Sequence, residues 1–212
     1  MNKLPRITAF VVAALFGTLP LAAQDAPAAP ASTDLVAPAP APAARVSPHE
    51  TISMHVGNPR SGPLVTITYG RPYSKDPKDA SGKTIRKIWG TLVPWGKVWR
   101  MGSDEATTLL TQQPLDIGGT TVPAGVYTLC MFPDDKGTTK LIINKQTGQW
   151  GIPYTPAIQA NELARVDMKK DPLNTQVDEF TIALVTDAAS GGGVLKAYWE
   201  TTQYSVPFKL KQ

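Results

Sequence analysis

From about residue 47 onward, apolar and polar side chains alternate with period two. Tyr204, Val206, Phe208 and Leu210 fall on one side of a segment whose other side carries Ser205, Pro207, Lys209 and Lys211. That is the pattern of a half-buried strand. Pro207 has no N–H to give to a ladder, so this last strand is expected at a sheet edge or at a bulge. Ile52, Met54 and Val56 alternate with Thr51, Ser53 and His55. Val65, Ile67 and Tyr69 alternate with Thr66 and Thr68, and Ala164, Val166 and Met168 with Arg165, Asp167 and Lys169. Two runs, 126–132 and 180–185, are apolar on both sides and predict central strands covered on both faces. Turn residues separate the runs at Gly118-Gly119, Pro123-Ala124-Gly125, 134–137 and 190–193. Only 158–162 suggests a helical turn. The pattern predicts an all-β domain, an antiparallel β-sandwich or jelly-roll-like fold of about eight to eleven strands with little helix.

Ahead of this domain the composition changes twice. Lys3 and Arg6 precede an apolar run over 7–16, broken by Gly17 and Pro20 and followed by Ala22-Ala23. This is the layout of a secretory signal peptide spanning 1–23, too short for a membrane span of about 20 apolar residues. No cysteine stands near the cleavage site, which argues against a lipoprotein. Residues 24–46 are rich in Ala and Pro, a composition that builds no core and reads as an extended, disordered linker. The organisation expected is signal peptide 1–23, linker 24–46 and one domain over 47–212. The protein is expected to be exported to the periplasm or secreted, with no transmembrane segment after cleavage. Its formal charge of +4 includes Lys3 and Arg6, and no acidic residue lies in the first 23 positions, so +2 remains after cleavage. Basic clusters with interleaved aromatics are absent, which argues against nucleic acid as a partner. The single Cys130 has no intrachain disulfide partner, so packing must stabilise the core.

Three of the five tryptophans, Trp89, Trp95 and Trp99, fall in one stretch together with Arg100, Asp104 and Glu105. Gly90, Pro94, Gly96 and Gly102 exclude a continuous helix there, leaving an irregular loop that carries large rings and opposite charges. Adjacent residues on a strand point to opposite faces, so Asp104 and Glu105 are not expected to act as a glycosidase carboxylate pair. Two readings of the loop stand. In one, Arg100 pins it through an ion pair or backbone hydrogen bonds over packed tryptophans. In the other, Trp95, Trp99, Arg100, Asp104 and Glu105 form a ligand-binding site. No metal ligand set, cofactor motif or catalytic residue is identified. His49 and His55 lack a third ligand in register, and no Gly-x-Ser-x-Gly elbow occurs.

The run from Ile88 to Arg100, followed by Gly102-Ser103-Asp104-Glu105-Ala106-Thr107, resembles the signature stretch of bacterial proteins grouped as domain of unknown function 2911. Tyr69-Gly70-Arg71-Pro72, Ile117-Gly118-Gly119, 122–129, Asn144-Lys145, Gln149-Trp150-Gly151, Phe180-Thr181-Ile182, Tyr198-Trp199-Glu200 and Val206-Pro207-Phe208 extend the similarity. The resemblance implies an exported, mostly β bacterial protein and carries no activity, cofactor or catalytic residue. Its members often have Tyr at the position of Trp95 and Asn at that of Asp104.

Three functions compete. The first is a non-enzymatic exported sandwich that binds a small ligand, glycan or envelope protein through loop 88–107. The second is a purely structural or assembly module with that loop as a core plug. The third is a hydrolase using Glu105 or His55, which requires both to converge near Arg100.

Overall fold

The structure is a computed structural model that describes residues 47–187 and 189–212. The signal peptide and the linker expected over 1–46 lie outside the described residues. The chain forms β1 (His49–His55), β2 (Leu64–Gly70), β3 (Thr107–Thr111), β4 (Leu115–Ile117), β5 (Thr120–Val122), β6 (Gly125–Phe132), β7 (Lys140–Asn144), α1 (Pro156–Gln159), β8 (Glu162–Asp167), β9 (Lys169–Asp187) and β10 (Gly192–Leu210). The ten strands make two antiparallel sheets, one in the order β1-β2-β3-β6-β7-β8 and one in the order β5-β4-β10-β9. This is the all-β sandwich that the alternation predicts.

Alternation decides which side chains enter the core. On β2, Val65, Ile67 and Tyr69 are buried, while Thr66 and Thr68 face outward. Pairing Ile52 with Ile67 aligns Thr51 with Thr68 and Ser53 with Thr66, and both hydroxyl pairs close at 2.9 Å on the outer face. Such cross-strand pairs are the unit of sheet stabilisation. The two sheets are tied together by Tyr69, whose hydroxyl donates to Glu50 Oε2 at 2.7 Å and accepts from Ile182 N at 2.9 Å. Arg71 adds to the tie, with Nη2 donating to Thr181 Oγ1 at 2.9 Å and lying 3.1 Å from Glu179.

The run 126–132 forms β6, central in the larger sheet and buried over most of its length. The run 180–185 differs from expectation. It lies in β9, which closes one side of the smaller sheet, so Phe180 and Ile182 are buried while Val185 is 39% exposed. Of the two forms expected for the last strand, an edge or a bulge, the structure shows a bulged strand. β10 is flanked by β4 and β9 and is not an edge. Pro207 is tolerated because the β9 ladder ends at Ser205 and the β4 ladder begins at Phe208, and its carbonyl still accepts from Gly118 N at 2.9 Å. The irregularity falls earlier, between Tyr198 and Thr202, where Glu200 adopts φ 52°. The effect on shape is large: a β-carbon on Gly192 would lie 2.1 Å from the Phe208 carbonyl oxygen, although an extended chain of that length reaches about 50 Å. The strand therefore bends back on itself, as a bulge with a left-handed residue permits. The helix starts earlier than expected, because Thr155 caps it through its side-chain oxygen and Pro156 occupies its first turn.

Candidate functional site

Between Gly70 and Thr107 the chain forms no regular strand. It crosses the end of the sandwich as a long connection held by isolated bridges. Buried Ile88 and Val93 anchor a tight turn closed by Val93 N to Ile88 O at 2.9 Å, with Gly90 at φ 83°. Trp99 then joins the large sheet as a single residue. Its N–H and carbonyl both pair with Met131 at 2.8 Å, beside β6 where the β3 ladder has ended. This backbone clamp sets its indole 4.9 Å from Phe180 and 5.7 Å from Trp199, which it stacks on. Trp89 packs edge-on to Trp99 and Trp199, while Trp95 stacks on Trp89 at 6.0 Å and has Lys170 Nζ 5.6 Å from its ring centroid. Offset-stacked and edge-to-face pairs at these separations add to the stabilisation from area burial.

Past Trp99 the backbone becomes strained. Met101 and Asp104 have φ of 52° and 62°, a region uncommon for residues with side chains. The turn they make lies directly on Gly70, where a β-carbon would come within 2.4 Å of the Ser103 carbonyl oxygen. It is held by Thr107 Oγ1 donating to Met101 O at 2.8 Å and by Gly151 N donating to Asp104 O at 3.1 Å. Arg100 lies across this turn, with Nε donating to Gly102 O at 3.3 Å and Nη1 to Asp104 O at 3.2 Å. Burial disfavours its charge and pulls its pKa below the ordinary arginine range, with Asp104 and Glu105 opposing that shift.

A cavity of about 470 Å³ opens beside this turn. Its polar lining comes from Arg86, Lys97, Arg100, Ser103 and Asp104, and its apolar walls include Tyr73, Leu92, Pro94, Ile152, Trp99 and Trp199. Arg86 is fixed by donating from Nη2 to the Tyr73 carbonyl. Three polar atoms of lining residues, Arg86 Nε, Ser103 Oγ and Asp104 Oδ2, are buried without a hydrogen-bond partner among the described residues. Ser103 as a whole is only 6% exposed.

Of the site residues expected from sequence, Trp99, Arg100 and Asp104 line this cavity, and Trp95 and Glu105 do not. Glu105 lies outside the cavity, past the left-handed Asp104, and its Oε2 is 2.9 Å from His49 Nε2. His55 sits at the opposite end of β1, where Nδ1 is 2.6 Å from the Gly62 carbonyl, so His55 and Glu105 do not converge. The hydrolase reading loses its geometric requirement. Sequence reasoning missed Arg86, Lys97 and Ser103. Ser103 stands inside the signature stretch, whereas nothing local marks Arg86, which the fold brings in from the connection's first half. Among the described residues, no group of three or more His, Cys, Asp or Glu side chains is placed to hold a metal ion.

The family model described as "Protein of unknown function (DUF2911)" matches residues 47–208. No curated protein and no solved structure matches the chain.

Proposed function

Because the chain belongs to the DUF2911 family, whose description names no activity, we propose from the site itself that this is an exported, non-enzymatic β-sandwich that binds a small ligand in the cavity beside Arg100. One observation carries the reading. Buried polar groups in folded proteins are almost always paired, and each exception asks for an explanation. Here three exceptions belong to residues lining one cavity, within a connection whose backbone is strained at Met101 and Asp104. Strain and unmet polar capacity gathered in one place are typical of recognition sites held by a rigid scaffold. The cavity volume lies within the range of small-molecule sites, and its walls combine apolar surface with a few polar groups. Export is supported by the signal-like segment over 1–23.

The test is a thermal-shift screen of small polar compounds against the wild type and Asp104→Gly. Glycine accepts the left-handed φ of position 104 without strain, so the variant removes the carboxylate and keeps the turn. Compounds that raise the wild-type Tm and do so less in the variant support the reading. If the variant folds and no compound distinguishes the two proteins, the reading is wrong.

A second reading, the structural plug, rests on Trp99 being 8% exposed and on Arg100 donating to main-chain carbonyls of its own turn. It predicts that Asp104→Gly and Ser103→Ala change stability and nothing else.

A further inference from the structure

The cations around the cavity are not balanced. Without forming a dense basic cluster, seven Lys or Arg residues are spread through the segment 75–100 against Asp76 and Asp79, a net +5 beside the +4 of the whole chain. Some of that charge is compensated, as in Lys75, which lies 3.6 Å from Asp178. Arg86 and Lys97, both lining the cavity, have no carboxylate within ion-pair distance among the described residues. Arg100 is not the free anchor that its position in the sequence suggests, because its Nε and Nη1 are already committed to carbonyls. Among the described residues, Asp104 is the one carboxylate in the lining. A partly buried guanidinium without a counterion is costly, and a planar anionic group restores the balance with charge-assisted hydrogen bonds. A purely anionic guest, however, gives Asp104 nothing to accept. The guest that meets both demands carries anionic oxygens and a hydroxyl donor on one compact frame. The walls of Tyr73, Leu92, Pro94 and Ile152 suit the C–H face of a ring.

Resting on the binding reading above, we propose that the ligand is a hydroxylated anion of sugar size, an acidic sugar or a sugar phosphate. Its carboxylate or phosphate pairs with Arg86 and Lys97, and a hydroxyl donates to Asp104.

Trp99 and Trp199 line the cavity, so tryptophan fluorescence of the full chain reports occupancy. The experiment titrates D-glucuronate, D-glucose 6-phosphate, D-glucose and D-glucosamine into the wild type, Arg86→Gln and Lys97→Gln. At least one of the two anions should bind about ten-fold more tightly than glucose, the weight of one charged hydrogen bond. Which of them does so distinguishes carboxylate from phosphate. Arg86→Gln should remove most of that preference. Lys97→Gln, at an exposed position, should reduce it, and raising the salt concentration should weaken anion binding more than glucose binding. Equal or tighter binding of glucose or glucosamine overturns the anion assignment while leaving a binding cavity in place. Silence from all four compounds also overturns it, and the binding reading then stands or falls on the broader screen. An anion preference unchanged in both variants places binding elsewhere and overturns the assignment too.

Discussion

Arg100 occupies the space that a side chain on Gly151 would need: a β-carbon there would lie 2.4 Å from Arg100 Cδ and 2.7 Å from its Cβ. The two residues come from different parts of the chain and meet because Gly151 N donates to the Asp104 carbonyl, the same oxygen that receives Arg100 Nη1. The glycine is therefore what lets the guanidinium lie flat over its own turn.

Gly151→Ala should cost about 1–3 kcal/mol by overpacking. Arg100→Ala should cost a similar amount through its two lost hydrogen bonds to carbonyls. Truncating Arg100 to alanine removes the Cγ and Cδ contacts and leaves only the one to Cβ at 2.7 Å, so the double variant should lose less than the two single losses added together. Urea unfolding of the four proteins measures this coupling. Strict additivity would show that the contact does not constrain Arg100.

Trp95 and Trp99 look equivalent in the sequence and should differ sharply on substitution. Trp99→Ala opens a hole beside Phe180 and Trp199 and should cost about 3–5 kcal/mol. Trp95 is half-buried and meets chiefly Trp89 and Lys170, so Trp95→Ala should cost about 1 kcal/mol. The difference in urea midpoint at constant slope decides it.

Ser103→Ala separates binding from stability. The hydroxyl is buried and unpartnered, so its removal should leave stability unchanged or raise it by about 1 kcal/mol. Ligand affinity should fall in the same variant, a trade-off characteristic of recognition sites. Loss of stability without loss of affinity would assign Ser103 to the scaffold.

The pH dependence has a defined direction at Glu162. Arg165 donates to both its oxygens, at 2.7 and 2.8 Å, and Tyr154 adds a third bond at 2.7 Å. The hydrogen bonds from Arg165 are the main cause of a pKa held below the ordinary 4.5. The folded state thus favours the carboxylate, and this contribution is present above about pH 4.5 and lost as pH falls through the lowered value. Glu162→Gln should be less stable than wild type at neutral pH, and the gap should narrow on acidification below pH 4.5. A gap that widens in acid would contradict the assignment.

Cys130 is 1% exposed on central strand β6, and burial pushes its thiol up to about 12. A thiol-specific reagent at mildly alkaline pH should leave the native protein unmodified and react once urea unfolds it, because the thiolate is the nucleophile.

The alternation of β2 and the apolar run of β6 predicted their burial because side-chain direction on a strand depends only on position along it. The run 180–185 was equally apolar, yet it closes a sheet: how many neighbours a strand has is set by distant pairings that leave no mark in its own residues. Position 104 lies between these cases. The family resemblance implies Asn as well as Asp there, and the φ of 62° gives a physical reason, since these are the side chains that best tolerate the left-handed region.

The chain by itself determined its most regular strands, several turns and the irregular aromatic connection, because period-two alternation, glycine, proline and ring content act over a few residues. Only the tertiary structure decided that Arg86, Ser103 and Asp104 would line one cavity, that Glu105 would turn away to His49, and that Trp95 would stay outside. Those relations come from backbone close approaches at Gly70 and Gly151 and from the clamp of Trp99 on Met131. Each joins segments far apart in sequence, where no local pattern carries the information.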